Sequence, residues 1–441
     1  MTGTDAATTA GRVRLGPEVR RLLVGVSAAA VGNGLTLPLL VVYLSQVREL
    51  PTTTAGLVLA WVSVIGLVLV PFVGSLVDRV GPRPVLVVGL LVEAAGVALL
   101  ATVHTSPQAF AVGTLLAAGA SASWAPQSAL IGRLTRGPER QRAFGVQFML
   151  LNLGIGVGGL VSAVVVDVAR PGTFEVLYVV DALTYLVYVA VLLRMRGVGR
   201  LPVAPQAVVD GDDPGKPAVG PDDPAPVGSG GYREVLRDRR LVRFALVSLA
   251  MLTFGYGSVE VGIPLVTTVE AGLDVSWVGI AYAANTFTIV AVQLVVLRRI
   301  EGRSRSRLIA LVALLWAGCW AVVALSTLSA VPLVAGLMIC LATAVFAIGE
   351  TIWSPVGPAL TNDLAPEHLR GRYNAVTSLL WNASGALGPG VTAVLLGSGA
   401  IGLWAALVVG GCLLAGWAAL GMTRVLTPSQ DGRAVPGPVP G

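Results

Sequence analysis

Apolar stretches of about twenty residues or more recur along nearly the whole chain, with short polar connections between them. Each stretch is long enough to cross a hydrocarbon core of about 30 Å. A backbone in lipid must satisfy its own hydrogen bonds, so we predict that these stretches are helices. Of the 441 residues, 55% are hydrophobic and 12% are charged, whereas about 25% are charged in a soluble domain. This composition excludes a soluble fold.

The apolar stretches predict twelve membrane spans. Spans 1 to 6 cover residues 20–43, 54–77, 84–104, 108–134, 143–168 and 176–194. Spans 7 to 12 cover residues 241–268, 275–297, 307–328, 331–360, 373–397 and 402–423. We therefore expect an N-terminal tail (1–19), a first six-helix bundle (20–196), a linker (197–240), a second six-helix bundle (241–425) and a C-terminal tail (426–441).

The distribution of basic residues predicts the orientation in the membrane. All but two of the 30 basic residues, Arg48 and Arg170, fall on the side of the termini, which makes that side cytoplasmic by the positive-inside rule. The net charge of +6 reports this topology and indicates no nucleic-acid partner, because the basic residues are dispersed over loops. A single Lys among them is typical of a GC-rich bacterial genome, so we expect a bacterial inner (cytoplasmic) membrane.

The two halves of the chain resemble each other at an offset of about 229 residues. Residues 123–126 (SWAP) match residues 352–355 (IWSP), and the segment that starts at Arg142 matches the segment that starts at Arg372. The intervening residues 197–232 are rich in Pro, Gly and Asp, which is typical of a disordered linker. A twofold repeat of six spans predicts a shared site near the membrane midplane, as in alternating-access carriers.

The connection between spans 2 and 3, GSLVDRVGPRPVL at residues 74–86, resembles the motif G-x-L-x-D-R-x-G-R-[KR]-x-x-L of the major facilitator superfamily. Pro84 departs from the second basic position of that motif. In the family this loop latches the cytoplasmic side of the outward-facing state. The alternative is an ordinary positive-inside turn. The resemblance assigns the gating motif to Gly74, Asp78, Arg79, Gly81 and Arg83.

The resemblance to the family covers essentially the whole chain. Within the family, the chain is similar in its motifs to bacterial drug-efflux members. Gly145, Gly154 and Gly158 fit the spacing of the family's antiporter motif in span 5, although Gly159 replaces its proline. Span 4 lacks the arginine that such exporters commonly carry. The resemblance implies an all-α integral membrane fold with twelve transmembrane helices in two pseudo-symmetric six-helix bundles.

Four acids lie inside the predicted spans, where ionisable groups are costly and functional by default. Glu260 and Glu350 belong to spans 7 and 10, which line the central cavity in the family. A buried carboxylate can exchange a proton near neutral pH, so these two are candidates for proton coupling or for binding a cationic substrate. For Glu93 in span 3, the sequence is equally compatible with a role in proton coupling and with a structural role. For Asp181 we expect helix capping or a local ion pair near the interface.

Aromatic and amide side chains inside the spans are candidates for lining the cavity, with helix packing as the alternative. These candidates are Asn33, Trp124, Gln127, Asn152, Tyr256, Asn285, Trp353 and Asn382.

The sequence favours secondary active export of small amphiphilic compounds, coupled to protons, over uptake of a small nutrient. A membrane-embedded enzyme is a remote alternative, because the chain has two histidines and neither a His-Glu-x-x-His nor a Gly-x-Ser-x-Gly motif. The three cysteines lie in apolar spans without metal-binding spacing. We therefore expect no catalytic residue, metal or cofactor. The expected partners are a small-molecule substrate, protons and membrane lipid, and the expected state is a monomer.

Overall fold

The computed structural model describes residues 15–36, 39–195, 231–274 and 276–433. Within these residues, eleven helices are long and apolar enough to cross a membrane. The predicted N-terminal tail up to residue 14, most of the predicted linker (197–230) and the end of the C-terminal tail (434–441) lie outside the described residues. The final part of the predicted linker is structured, and it forms the short helix Tyr232–Val235.

The helices match the predicted spans closely. In the first half they are Pro17–Thr36, Thr52–Val80, Pro82–Leu100, Ser106–Leu134, Gly137–Val165 and Pro171–Arg194. After residues 37–38, which are not described, span 1 continues through Leu40–Val42 and Tyr43–Val47. Several helices begin earlier than predicted, because proline occupies their first turn, where its missing N–H has no helical partner to lose.

In the second half, span 7 is irregular, and the other five spans are continuous helices. Span 7 consists of Arg239–Ala250, Met251–Tyr256, Val259–Leu265 and Val266–Glu270, of which the second and fourth are π-helical. Spans 8 to 12 are Ser276–Ile300, Arg305–Ser326, Pro332–Leu364, Arg370–Gly397 and Ile401–Gly421. π-helical turns are often associated with functional sites, and those of span 7 flank Glu260.

The packing of the spans is pseudo-symmetric. Span 1 packs against spans 5 and 6, span 3 against spans 4 and 6, and span 2 against span 4. The same pairs recur six spans later, as span 7 with 11 and 12, span 9 with 10 and 12, and span 8 with 10. Between the bundles, spans 2 and 4 contact span 11, and spans 8 and 10 contact span 5. The predicted fold class of two related six-helix bundles is confirmed.

Each bundle has its own apolar core. The first core includes Leu22, Phe144 and Tyr178, and the second is built around Trp316 and Trp320. Many large apolar side chains also lie exposed on the outside of the bundles, where a lipid environment stabilises them.

The loops near residues 81, 136, 302 and 366 lie at one end of the bundles, which we call the arginine-rich end. At the opposite end, the two basic residues that depart from the charge pattern both pair with acids. Arg48 Nη2 lies 2.8 Å from Glu175 Oε1, and Arg170 Nε lies 3.4 Å from Asp167 Oδ2. Arg48 also donates a 2.6 Å hydrogen bond to the Ala101 carbonyl. These two arginines are therefore held locally by their partners.

Glycines allow spans 1 and 5 to cross at very short distance. A Cβ atom on Gly158 would collide with the Val31 carbonyl and with the backbone of Gly34, and a Cβ on Gly154 would collide with Ala30. The glycine spacing of span 5 therefore serves close helix packing, which in lipid depends on small residues.

We predict that Gly158→Ala destabilises the first bundle, because the added methyl group overpacks this crossing, at a cost of about 1–3 kcal/mol. Gly156→Ala is the matched control, since its Cβ meets no atom within 4 Å. Thermal unfolding of the detergent-purified variants measures the effect. Equal melting temperatures for the two variants would contradict the role assigned to Gly158.

Candidate functional site

Asp78 connects the two bundles at the arginine-rich end. Its side chain is 1% exposed. Oδ1 accepts a 2.5 Å hydrogen bond from the Gly371 amide, and Oδ2 accepts from the Arg372 amide at 3.2 Å and from Arg372 Nη1 at 3.0 Å. Both amides belong to the first turn of span 11, where the helix dipole favours a negative charge. Asp78 thus pairs with an arginine and with a helix N-terminus at the same time.

The other residues of the gating motif have distinct surroundings. A Cβ on Gly74 would lie 2.5 Å from Ala375 Cβ, so the glycine lets spans 2 and 11 touch. Gly81 has a φ of 91°, which favours glycine at the turn into span 3. Arg83 donates to the Leu192 carbonyl at 2.9 Å and to the next carbonyl at 3.0 Å, so it caps the end of span 6 within its own bundle. Arg79 is exposed.

Two further ion-pair contacts join the bundles at this end. Arg142 Nη1 of span 5 lies 3.6 Å from Glu301 Oε1 at the end of span 8. Arg142 is the repeat counterpart of Arg372, so this pair is the pseudo-symmetric equivalent of the Asp78 contact. In addition, Arg140 of span 5 donates to Asp363 at the end of span 10. These are buried or half-buried charges, whose separation would leave each without its partner.

The structured end of the linker covers the contact between spans 2 and 11. Tyr232 donates a 2.6 Å hydrogen bond to the Pro71 carbonyl of span 2, and its ring lies 5.9 Å from the Arg372 guanidinium carbon. Burial raises the pKa of Tyr232 to about 12, so the hydroxyl keeps its proton and remains a donor. Tyr373 in turn donates a 2.8 Å hydrogen bond to Asp238 Oδ2. The linker thus contacts both of the spans that Asp78 joins. We call the contacts of Asp78, Arg142 and Arg140 that join the two bundles at the arginine-rich end the closure.

Glu350 lies buried in the second bundle, among spans 7, 8 and 10. Its Oε2 accepts a 2.7 Å hydrogen bond from Asn285 Nδ2 of span 8. The Tyr256 hydroxyl of span 7 lies beside the carboxyl group. Glu350 therefore joins three spans through one ionisable side chain, with two neutral partners that tolerate either protonation state.

Aromatic rings surround Tyr256, the tyrosine beside this acid. The Tyr256 ring lies 4.8 Å from Trp381, 5.9 Å from Phe346 and 6.2 Å from Trp316, measured between ring centroids. Trp381 is 45% exposed. Trp353 is 8% exposed, because it packs against Phe244 and Trp316. The structure thus places Trp353 in the core of the second bundle, whereas Trp381 presents an open aromatic face beside Tyr256.

Glu93 occupies a polar cluster inside the first bundle. Its Oε2 accepts a 2.8 Å hydrogen bond from Ser123 Oγ, and its Oε1 lies 3.0 Å from the Tyr185 hydroxyl. That hydroxyl also lies 2.8 Å from Asn33 Oδ1. Since Tyr185 carries one proton, both contacts are hydrogen bonds only when Asn33 turns its amide or Glu93 carries a proton.

The expectation for Asp181 is wrong. Asp181 is fully buried in the middle of helix Pro171–Arg194, so it is no helix cap. Its Oδ2 accepts a 2.5 Å hydrogen bond from Thr36 Oγ1, and its Oδ1 lies 3.4 Å from Thr184 Oγ1. Hydroxyl groups therefore satisfy this carboxylate, and the sequence could not indicate that span 1 would supply one of them.

The remaining candidates are dispersed. Glu260 is exposed, in contrast to Glu350. Trp124 is 54% exposed, unlike its repeat counterpart Trp353. The other three amides differ in their surroundings: Gln127 is buried and accepts from the Tyr188 hydroxyl at 2.8 Å, Asn152 donates to the Phe148 carbonyl of its own helix, and Asn382 is exposed.

Several residues of these clusters were missed by sequence reasoning. Trp381 and Phe346 had no signal beyond their aromatic character, because nothing local placed them beside Tyr256. Arg372 did have a signal, since the internal repeat aligns it with Arg142 at the start of a span. Asp363 lies where a long apolar span ends. The sequence does not distinguish an acid that simply ends a helix from one that contacts the other bundle.

We predict that Asp78→Asn loosens the closure between spans 2 and 11, because the variant leaves the charge of Arg372 buried without its anion. Loss of one member of a buried pair costs about 3–5 kcal/mol. Pulsed electron paramagnetic resonance between spin labels at Arg136→Cys and Arg298→Cys measures the separation of the bundles, with the native cysteines replaced by alanine. Arg79→Gln is the control, since Arg79 is exposed. An unchanged distance distribution in Asp78→Asn would contradict the latch.

The comparison with known proteins agrees with this architecture. The model of the Major Facilitator Superfamily matches residues 22–389. The multidrug resistance protein MdtH of Edwardsiella ictaluri (strain 93-146) is 35% identical over 92 residues, which are 21% of this chain and 23% of that protein. The tetracycline resistance protein, class C, of Escherichia coli is 28% identical over 163 residues, which are 36% of this chain and 41% of that protein. Both alignments span less than half of the relative's length.

Solved structures share the fold at low sequence identity. A bacterial homologue of the iron transporter ferroportin, in an outward-facing state, gives a TM-score of 0.75 at 11% identity, over 92% of this chain and 99% of that chain. The human organic anion transporter MFSD10 (TETRAN) gives a TM-score of 0.68 at 16% identity, over 92% of this chain and 100% of that chain. With the family match across most of its length, the chain belongs to the Major Facilitator Superfamily, a family of multi-pass membrane transporters.

Proposed function

We propose that this transporter is a proton-coupled exporter of small amphiphilic compounds that works by alternating access. The main support for the proposal is the closure at one end of the bundles, combined with Glu350, a buried acid of the second bundle whose partners carry no charge. In this mechanism the two bundles rock about a site between them, and the ion pairs at the arginine-rich end break and re-form in each cycle.

The closure supports an outward-facing arrangement. The hydrogen bonds and ion pairs that link the described parts of the two bundles lie at the arginine-rich end, which the basic residues predict to be cytoplasmic. In that orientation the space between the bundles opens away from the cytoplasm. The ferroportin homologue with the same fold was also solved in an outward-facing state.

Glu350 is the proposed proton site. It is buried, it contacts spans 7 and 8 through Tyr256 and Asn285, and neither partner carries a compensating charge. Gain or loss of a proton changes the charge that the bundle must hold, and hence the relative stability of the two states of the cycle. Residues 111–115 of span 4 lack the arginine that exporters of the family commonly carry there, which is consistent with a coupling residue in the other bundle. Glu93, with its hydroxyl partners, is the alternative proton site in the first bundle.

Glu260 and the aromatic rings are the proposed contacts for the substrate. Glu260 is exposed, and it follows Tyr256 by about one helical turn in span 7. Together with the open face of Trp381, this provides one negative charge beside π faces, which attracts flat cations by Coulomb and cation–π interactions. The relatives named for multidrug and tetracycline resistance support export as the direction.

We predict that Glu350→Gln abolishes proton-coupled transport while the protein still inserts and folds, because glutamine has the same shape but cannot exchange a proton. Inverted membrane vesicles with ethidium added to the outside medium measure the effect: the wild type accumulates ethidium in the vesicles in response to a proton gradient, and an uncoupler collapses the accumulation. Wild-type, pH-dependent transport in Glu350→Gln would contradict the assignment.

Two control measurements separate the parts of the proposal. Glu260→Gln should raise the KM for ethidium and leave the dependence on the proton gradient intact, since it removes a contact with the substrate. Glu93→Gln should retain coupling if Glu350 is the proton site. Uptake of a probe into intact cells without efflux would contradict export and favour uptake of a nutrient.

A further inference from the structure

The segment of residues 427–433 follows span 12 and carries a buried acid. Asp431 is 0% exposed. Its carboxylate accepts hydrogen bonds from Ser304 Oγ at 2.7 Å, from Ser306 Oγ at 2.8 Å and from the Ser306 amide at 2.9 Å. Arg433 Nε lies 3.0 Å from the same carboxylate. These serines begin span 9, so the segment docks its anion on the positive end of that helix.

Arg305 connects this segment to the rest of the arginine-rich end. The Arg305 amide donates to the Asp431 carbonyl at 2.8 Å, and Nη1 donates to the Gln430 carbonyl at 2.9 Å. The same Nη1 donates to Asp363 Oδ2 at 2.5 Å. Arg305 is 1% exposed, so the position of its guanidinium group depends on these acceptors.

Asp363 is shared by arginines from opposite bundles. Its Oδ2 accepts from Arg305 of the second bundle, while its Oδ1 accepts from Arg140 of the first bundle. Arg140 is itself fixed by the Gly132 carbonyl at 2.6 Å and by the Thr135 carbonyl at 2.7 Å. The carboxylate of Asp363 is thus aimed at the first bundle by an arginine that the C-terminal segment holds.

We propose that residues 427–433 form a strap that stabilises the closure between the bundles, with Asp431 and the Gln430 carbonyl as positioning groups that act through Arg305. The docked strap orients Arg305, Arg305 orients Asp363, and Asp363 binds Arg140 across the bundle interface. Undocking the strap removes two acceptors from Arg305 and weakens the closure. A partner or a modification that binds the segment would therefore regulate the transport cycle from the arginine-rich end. The regulatory consequence rests on the proposed alternating access, whereas the physical coupling does not.

The test measures the bundle separation without any substrate, in full-length protein in lipid nanodiscs. Spin labels at Arg136→Cys and Arg298→Cys report the distance between the bundles at the arginine-rich end. Asp431→Ala should raise the ratio of open to closed populations about fivefold or more, the change expected from the loss of charge-assisted hydrogen bonds. Ser429→Ala, in the same segment, should leave the ratio unchanged, because the Ser429 side chain is exposed and its hydroxyl contacts Thr427 of the segment itself.

The route through Arg305 is tested by combining variants. Arg305→Gln should open the closure as Asp431→Ala does, and the double variant should open it no further than Arg305→Gln alone, because both act on one path. Additive effects of the two substitutions would contradict a path through Arg305. An unchanged distance distribution in Asp431→Ala would contradict the proposal that residues 427–433 stabilise the closure. If Asp431→Ala does not fold, the pair Ser304→Ala and Ser306→Ala removes two donors to Asp431 and takes its place. Failure of ethidium transport would reject the proposed function and leave this result standing.

Discussion

In the interior of a membrane no water is present to satisfy a polar group, so each backbone amide and each charge must find its partner within the protein. This constraint explains both the uniform helicity of the chain and the positions of its charges. Most charged groups gather at the arginine-rich end, where several bind each other, and three acids inside the spans, Glu93, Asp181 and Glu350, are held by hydroxyl or amide groups. The closure between the bundles follows from the same requirement, because its charged groups find their partners in each other.

The closure contains two ion pairs that are related by the internal repeat but differ in length and burial. Asp78 with Arg372, and Glu301 with Arg142, are pseudo-symmetric pairs that join span 2 to span 11 and span 8 to span 5. The first pair is buried and includes two helix amides, whereas the second is longer and half-buried. The linker residue Tyr232 covers the first pair. The two contacts therefore differ in the number of hydrogen bonds that hold them and in their exposure to solvent.

The acids inside the spans depart from the repeat altogether. Glu350 takes the place of Ser121, whose hydroxyl bonds the carbonyl of Ala117 in its own helix. Glu93 lies in span 3, beside a tyrosine from span 6. Each bundle therefore holds an acid in a different position. The scaffold of helices is pseudo-symmetric, whereas the acids inside it are not.

Local sequence determined the number of spans, their approximate ends, the charged side of the protein, the twofold repeat and the motif at residues 74–86. Each of these depends on hydropathy, on dispersed charge or on a contiguous pattern, which the chain carries without reference to its partners. Tertiary structure decided what each polar side chain binds. It placed Thr36 against Asp181, Tyr185 against Glu93, Trp381 beside Tyr256 and Asp431 at the start of span 9. These pairs are separated by up to 145 residues, and only the packing of helices brings them into contact.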